Sequence, residues 1–188
     1  MRFDNEAHLW DEKPRRVELA KKFSEYVKAY ISQTDKILDF GCGTGLVGLN
    51  FCENEVLGVD LSCEMVNVFN QKAKILNCNS KAICEDINNI KQKFDVIVTN
   101  MVFHHIENTK EMLKLLSTKL NKNGKLFISD LYLEDGSFHD KGNDDVFHFG
   151  FEKNHFETEF FEIKDYQKIY TIKKHKLFDV YVCYLKVK

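Results

Sequence analysis

The sequence is poor in proline, which interrupts regular structure, and in tryptophan. Among 188 residues, proline occurs once, as Pro14, and tryptophan once, as Trp10. No apolar run approaches the roughly 20 residues that cross a bilayer, and the beginning MRFDNEAHLWDEK lacks the basic and apolar regions of a signal peptide. With 44% hydrophobic residues the chain can bury one substantial core. We therefore expect a single domain over residues 1–188, located in the cytoplasm and without a membrane partner.

The sequence also lacks a strong excess of charge of either sign. Its formal net charge is −2, and its isoelectric point is near 6.4. Such a chain generates no global field that would attract nucleic acid or an anionic membrane. We expect a small-molecule partner, no nucleic acid, and a monomer or homodimer.

The cysteines lack the spacing of a metal or redox motif. None of the six forms a CxxC pair or a CxxxCxxC run, which argues against a zinc knuckle and an iron–sulfur cluster. We expect scattered reduced thiols, no metal and an organic cofactor. The six residues are Cys42, Cys52, Cys63, Cys78, Cys84 and Cys183.

Short apolar strands alternate with amphipathic helices along the chain, a pattern typical of a doubly wound, mostly parallel sheet with helices on both faces. The segment 1–35 contains a leading helix that starts at Pro14, a residue favoured in the first helical turn. Predicted strands lie near residues 36–40, 55–60, 81–84, 94–100 and 123–130, followed by an antiparallel pair near 165–172 and 178–187. Predicted helices occupy residues 14–31, the turn up to about Cys52, a segment capped by Ser62, residues 107–120 and residues 153–161.

The regular pattern stops between residues 131 and 152. This segment follows the fifth strand and mixes acidic residues, glycines, histidines and aromatic residues. Long irregular segments in compact domains often carry function, and this one starts at the sheet edge where open α/β folds bind ligands. We expect it to be a loop that covers the substrate.

The stretch ILDFGCGTG, residues 37–45, is the most informative motif. A P-loop would need lysine after Gly48, where the chain has Leu49. A dinucleotide fingerprint would need glycine at position 46, where it has Leu46, so a nicotinamide cofactor is disfavoured but stays open. What remains is a turn between a strand and a helix whose backbone approaches a ligand closely, and the turn alone leaves that ligand open.

Two further carboxylates restrict the chemical identity of the ligand. Asp60 ends the second strand, 21 residues after Asp39, and at this place an acidic side chain can accept hydrogen bonds from both hydroxyls of a ribose. Asp86 ends the third strand and could accept from an adenine amine beside the apolar Ile87. A ribose, an adenine and a carboxylated arm together describe S-adenosylmethionine.

These segments resemble the class I, seven-stranded methyltransferases that use S-adenosylmethionine. ILDFGCGTG is similar to the glycine motif of that family, GVDLSCEM to its ribose segment, CEDI to its adenine segment and FDVIVTNMVFHHI to its fourth-strand motif. The ends resemble a small bacterial subgroup of generic function. One departure is the segment NMVF, where the branches that methylate nitrogen in adenine or glutamine carry (N/D/S)PP(Y/F).

The resemblance implies a site for each part of the cofactor. The glycines would line the methionine arm, Asp39 would orient its ammonium, and Asn100 would place a carbonyl near the amine. Asp60 would hold the ribose, and Asp86 with Ile87 would frame the adenine. The full set of expected cofactor residues is Asp39, Gly41, Cys42, Gly43, Gly45, Asp60, Leu61, Met65, Asp86, Ile87, Asn100 and Met101.

The acceptor cannot be named from these motifs, and an oxygen, sulfur or carbon nucleophile stays open. If a base is needed, histidine is suited to proton transfer near neutral pH, and four are placed for it: His104, His105, His139 and His148. The residues expected to line the substrate are Trp10, Phe138, Phe147 and Phe149. The alternative functions are a protein that binds S-adenosylmethionine without catalysis, as a sensor or scaffold, and a nicotinamide-dependent reductase.

Overall fold

A computed structural model describes residues 2–139 and 145–188, and its centre is one seven-stranded sheet. The strand order is β3-β2-β1-β4-β5-β7-β6. Strands β1 to β5 are parallel, while β7 is antiparallel to both β5 and β6. The strands are β1 Ile37–Phe40, β2 Val56–Asp60, β3 Ser80–Cys84, β4 Phe94–Asn100, β5 Leu120–Leu131, β6 Phe161–Lys173 and β7 Leu177–Val187. The predicted fold class is confirmed.

Within the described residues, four α-helices accompany the sheet: α1 Arg2–Glu6, α2 Pro14–Lys28, α3 Cys63–Leu76 and α4 Thr109–Thr118. Short 3-10 helices lie at Ala7–Glu12, Gly48–Phe51, Ile87–Asn89, Phe103–His105 and Lys153–Phe156. Two predicted helices, up to Cys52 and over 153–161, are thus only single 3-10 turns. Glycine-rich sequence before Phe51 lowers the helix propensity there. Within the described residues, no helix is long and apolar enough to cross a bilayer.

Alternating side chains of the central strands fill two cores. On one face, Ile37 of β1 and Val96 of β4 pack with Phe23 of α2. On the other face, Leu38 and Ile97 pack with residues of α4. Strands buried on both faces read as continuous apolar runs, which is why the sequence predicted them well.

The chain order reverses between β1 and β4, because β1 pairs with β2 on one side and with β4 on the other. In open α/β sheets, the crevice outside the carboxyl ends of the strands at such a switch point is the usual ligand site. Here the crevice is bounded by the glycine turn after β1 and by residues 101–106 after β4.

Four of the six cysteines are paired, so the expectation of scattered reduced thiols is wrong for them. Disulfides join Cys52 to Cys78 and Cys63 to Cys84, with Cα atoms 4.6 and 5.0 Å apart. Cys63 opens α3 and Cys84 ends β3, so this bridge ties the two segments that follow β2 and β3. Disulfides are rare in reducing compartments, and the cytoplasmic location therefore stays a prediction.

Candidate active site

The three glycines of the turn after β1 all have positive φ, at +71° for Gly41, +49° for Gly43 and +85° for Gly45. A Cβ atom on Gly41 would collide with the side chain of Val102, and one on Gly45 would lie 2.7 Å from Phe69. A Cβ on Gly43 would meet nothing closer than a sulfur atom at 4.0 Å. Gly41 and Gly45 thus make room for the protein's own side chains, whereas Gly43 faces open space that a ligand can approach.

We expect Gly41→Ala to destabilise the fold by about 3 kcal/mol, because it combines backbone strain with overpacking against Val102. Gly43→Ala should cost only about 1–2 kcal/mol, the strain of the left-handed backbone. Denaturant unfolding of both variants measures the difference. Gly43→Ala should also weaken cofactor binding, and equal loss of stability in the two variants would contradict this division of roles.

Asp39 is a buried carboxyl behind the turn. It is 2% exposed and accepts a hydrogen bond from the Gly48 N–H at 2.8 Å. Burial raises the pKa of Asp39 to about 7, and the nearby charge of Asp60 adds to the shift. A cation placed next to this carboxyl would favour its charged form, as the predicted ammonium contact requires.

Cofactor binding should therefore release a proton from Asp39. In the unliganded protein this carboxyl keeps its proton from its ordinary pKa of 3.8 up to about 7, so its contribution to stability is lost as pH rises through 7. We expect affinity for S-adenosylmethionine to rise about tenfold between pH 5.5 and 7.5. Calorimetry in buffers of different ionisation enthalpy measures the proton, and Asp39→Asn should abolish it. A pH-independent affinity would exclude contact between Asp39 and the ammonium.

Asp60 connects the glycine turn to the start of α3. Its carboxylate accepts hydrogen bonds from Gly43 N–H at 2.8 Å and Ser62 N–H at 2.9 Å. Burial raises its pKa. The Ser62 hydroxyl in turn accepts from Met65 N–H at 3.3 Å, which caps α3, and bonds to Asp4 at 2.6 Å. Asp60 thus lies where a ribose was expected, beside the open face of Gly43.

The predicted adenine end is only partly arranged as expected. Asp86 is exposed, and its Oδ1 accepts from the Asn88 backbone N–H at 2.8 Å and from the Asn88 side chain at 2.7 Å. Ile87 is 4% exposed and packs into the core below α4. Its side chain therefore exposes little apolar surface against which an adenine could pack. Leu61 is 60% exposed and is the apolar side chain available next to Asp60.

One residue predicted near the cofactor faces the core instead. The side chain of Cys42 packs among Leu49, Val66 and Phe69, and burial raises the pKa of its thiol well above the ordinary value. The left-handed conformation of Gly41 turns the chain before Cys42 and aims the Cys42 side chain inward, so the prediction can hold only for the Cys42 backbone. Met65 is also buried, but its sulfur atom lies 4.0 Å from the position of a Cβ on Gly43, so it borders the glycine turn.

The chain is strained where β4 ends. Met101 has φ +58°, which is uncommon for a residue other than glycine. The Oδ1 atom of Asn100 is buried and has no hydrogen-bond partner among the described residues. Strain and an unsatisfied polar atom are typical of ligand sites, and both occur where the resemblance expects the methionine amine.

A buried acidic residue, Asp130, holds His104 beside this strand end. The two side chains are each 2% exposed, and the His104 Nδ1 lies 2.7 Å from Asp130 Oδ1. The backbone N–H of His104 donates to the other carboxylate oxygen at 3.2 Å. Asp130 lies near the end of β5, next to β4. Sequence reasoning missed it, although an acidic residue ending a buried strand was a usable signal.

Three of the four predicted histidines converge. The ring of His105 is 4.1 Å from that of His104, and the ring of His139 is 5.2 Å from His104. Burial lowers the pKa of His105, whose Nδ1 lies 2.6 Å from the Asp145 carbonyl. His148 does not join them: its Nε2 donates to the Ile106 and Glu107 carbonyls at 3.0 and 3.2 Å.

Aromatic rings from the leading segment and from the loop after β5 cover these histidines. Phe138 packs edge-on against His139 at 5.0 Å, and Phe3 packs against His105 at 5.7 Å. Phe3 also contacts Trp10 at 5.8 Å, and the Arg16 guanidinium lies 3.3 Å above the Trp10 ring. Trp10 therefore supports the cover rather than facing the histidines.

The remaining two predicted substrate residues are only loosely packed. Phe147 is 52% exposed and Phe149 is 43% exposed, the latter lying against Gly136. The backbone N–H of Phe147 donates to the His104 carbonyl at 2.9 Å. This end of the predicted loop is therefore anchored to the histidine segment through the backbone.

The leading segment reaches across the cofactor side as well. The Asp11 carboxylate accepts from the Thr44 hydroxyl at 2.5 Å and pairs with the Lys72 ammonium at 2.6 Å. Together with the contacts of Asp4 and Phe3, these interactions hold residues 3–11 over the glycine turn, the start of α3 and His105.

The family follows from comparison with known proteins. A family described as a methyltransferase domain matches residues 11–170, and the chain belongs to this family. An uncharacterized methyltransferase of Schizosaccharomyces pombe is 34% identical over 117 residues, which cover 55% of this chain and 41% of that protein. A ubiquinone biosynthesis O-methyltransferase of Pelagibacter ubique is 34% identical over 100 residues, covering 51% and 42%. The chain thus spans less than half the length of these relatives.

Solved structures share the fold. The magnesium protoporphyrin IX methyltransferase of Synechocystis with bound SAH superposes with a TM-score of 0.73 at 15% identity, over 92% of this chain and 83% of that one. A methyltransferase dependent on S-adenosylmethionine from Clostridium acetobutylicum gives 0.70 at 18% identity, over 100% and 99%. The predicted class I fold is confirmed, and the Synechocystis enzyme has been solved with SAH and with SAM bound.

Proposed function

We propose that this chain transfers the methyl group of S-adenosylmethionine to an oxygen atom of a small molecule bound beside His104, His105 and His139. The observation that carries the proposal is the buried Asp130–His104 pair at the ends of β4 and β5. His104 lies two residues beyond Val102, whose side chain fills the space next to Gly41 of the cofactor turn. The glycine turn and the segment that carries His104 and His105 therefore pack against each other.

The chain's own residues would act by positioning and by accepting a proton. S-adenosylmethionine supplies an electrophilic methyl group on a positively charged sulfur. Asp130 accepts a hydrogen bond from the Nδ1–H group of His104, which leaves the lone pair on Nε2, and Nε2 can then take the proton of an acceptor hydroxyl. As the O–CH₃ bond forms, the S–CH₃ bond breaks with its electron pair remaining on sulfur. Phe3 and Phe138 limit the access of water to this step.

A small acceptor fits the way the histidines are covered. Residues 3–11 and the loop residue Phe138 both pack over the cluster, which leaves a confined rather than an open approach. The net charge of −2 provides no attraction for nucleic acid. Curated relatives include proteins named as O-methyltransferases, which supports oxygen as the nucleophile. A sensor that only binds the cofactor has no use for a buried Asp–His pair, and we do not favour it.

Methyl transfer from labelled S-adenosylmethionine into a metabolite extract tests the proposal. We expect a labelled small-molecule ether or ester with the wild-type chain and none with a heat-denatured control. Intact tRNA, DNA and folded proteins are offered in parallel. Labelling of one of these macromolecules alone would contradict a small acceptor, and a labelled thioether or C-methyl product would contradict oxygen as the nucleophile.

A further inference from the structure

Three histidines from two separate segments meet beside the sheet. His104 and His105 belong to the 3-10 turn after β4, and His139 comes from the loop after β5. One ligand nitrogen from each ring lies within 4.8 Å of the others. The ring centroids of His104 and His105 are 4.1 Å apart, and those of His139 are 5.2 and 5.8 Å from them. Imidazoles gathered this closely can share a single ligand.

For two of the rings, the hydrogen-bond partner of Nδ1 determines which ring nitrogen can bind the ligand. His104 Nδ1 faces the Asp130 carboxylate at 2.7 Å, and His105 Nδ1 faces the Asp145 carbonyl at 2.6 Å. Both partners only accept hydrogen bonds, so each Nδ1 carries the proton and each Nε2 presents a lone pair. Histidines that bind metals almost always donate their other ring N–H to a carboxylate or a backbone carbonyl in this way.

We propose that His104, His105 and His139 bind one divalent transition-metal ion, with zinc as the best match. Imidazole nitrogens suit zinc and its neighbours in the first transition row. Three histidines with a fourth position open are a ligand set of catalytic zinc. The open position would take the acceptor oxygen, a part of the inference that rests on the proposed function. The sequence analysis predicted no metal from the spacing of the cysteines, and His139 lies 34 residues beyond His105 along the chain.

The geometry is close to what an ion requires. Zinc binds histidine nitrogen at about 2.0–2.1 Å, so three tetrahedral ligands lie roughly 3.3 Å apart. The ligand nitrogens of the three rings lie within 4.8 Å of one another, so binding an ion requires the rings to close by about 1.5 Å. Phe3 and Phe138 pack edge-on against His105 and His139, and such an apolar surround limits solvent at a metal site.

A bound ion would change how the acceptor is activated. A divalent ion lowers the pKa of an oxygen that it binds, so the acceptor hydroxyl would lose its proton to solvent before the transfer. The O–CH₃ bond then forms while the S–CH₃ bond breaks, with its electron pair staying on sulfur. In this case the three histidines hold the ion, and Asp130 is a positioning residue.

Titration of the chelator-treated full chain with Co²⁺ tests the site without cofactor or acceptor. We expect one Co²⁺ per chain, with the intense visible absorption of a four- or five-coordinate ion, and a shift of that absorption when azide occupies the open position. His139→Ala should weaken binding at least 100-fold, and Asp130→Asn should weaken it 10- to 100-fold. The matched control is His175→Ala, because His175 is exposed and bonds to Ser137 outside the cluster.

The outcomes separate this proposal from the proposed function. Absence of stoichiometric Co²⁺ binding to folded wild-type protein, or equal binding by His139→Ala, overturns the metal site. Full methyl transfer by metal-free enzyme overturns the role of the ion in activating the acceptor, while supporting the proposed function with a histidine as base. If azide leaves the visible absorption of bound Co²⁺ unchanged, the ion has no open coordination position and that part of the inference is wrong. Because His104 is buried and its removal can disturb folding, the more exposed His105→Ala is measured beside His139→Ala.

Discussion

Asp130→Asn should lower the rate of methyl transfer at least 100-fold while cofactor affinity stays within twofold. Asparagine can donate its amide N–H to His104 Nδ1, which leaves the ring proton on Nε2. The ring nitrogen that should take a proton or bind an ion is then blocked, and loss of a correctly held tautomer is costly in comparable Asp–His pairs. The measurement is the turnover of labelled S-adenosylmethionine, with cofactor affinity from calorimetry.

Asp145→Asn is the matched control for this prediction. His105 bonds to the backbone carbonyl of Asp145, which the substitution keeps, and the carboxylate itself lies 3.7 Å from the ring. We expect less than a threefold loss of rate. If Asp130→Asn folds, binds the cofactor normally and turns over like the wild type, the buried pair has no role in catalysis, and both roles suggested for His104 fail.

Asp60→Ala should weaken the binding of S-adenosylmethionine by about 2 kcal/mol or more, which corresponds to roughly 30-fold in affinity. The substitution removes the charged acceptor expected for the ribose hydroxyls. It also leaves the N–H groups of Gly43 and Ser62 without their present partner, which loosens the turn that faces the ligand. Calorimetry with the folded variant measures the effect.

Asp86→Ala provides the comparison, because Asp86 is exposed and caps only the short turn at Asn88. We expect a loss of less than fivefold in affinity there. Unchanged affinity in folded Asp60→Ala would exclude the ribose contact. A larger loss in Asp86→Ala than in Asp60→Ala would mean that the adenine contact dominates binding.

Strands β1, β2 and β4 at the centre of the sheet were predictable because they are buried on both faces and read as apolar runs. The site was predictable where a motif has a fixed position relative to a strand, as for Asp39 and Asp60 at the ends of β1 and β2. Side-chain direction was harder to predict. Cys42 follows a left-handed glycine and turns inward, and Ile87 opens a 3-10 turn that buries it, although both stand next to residues of the expected site.

Contacts between distant segments could not be predicted from periodicity. Nothing in the spacing of His139 indicates that it approaches His104 and His105, because the intervening chain includes α4 and β5 before it returns. The pairing of Cys63 with Cys84 is of the same kind: it depends on the parallel register that aligns the ends of β2 and β3. His148 was expected to act as a base, yet backbone carbonyls occupy its Nε2.

The leading segment has a kinetic consequence for the proposed reaction. Through Asp4 and Asp11 it is attached to the start of α3 and to the glycine turn, and through Phe3 it lies on His105. A molecule leaving either half of the crevice must displace the same nine-residue stretch, residues 3–11. Exit of the demethylated cofactor and exit of the methylated product then share one opening event. Since the Asp11–Lys72 ion pair helps to keep the stretch closed, added salt should accelerate that exit.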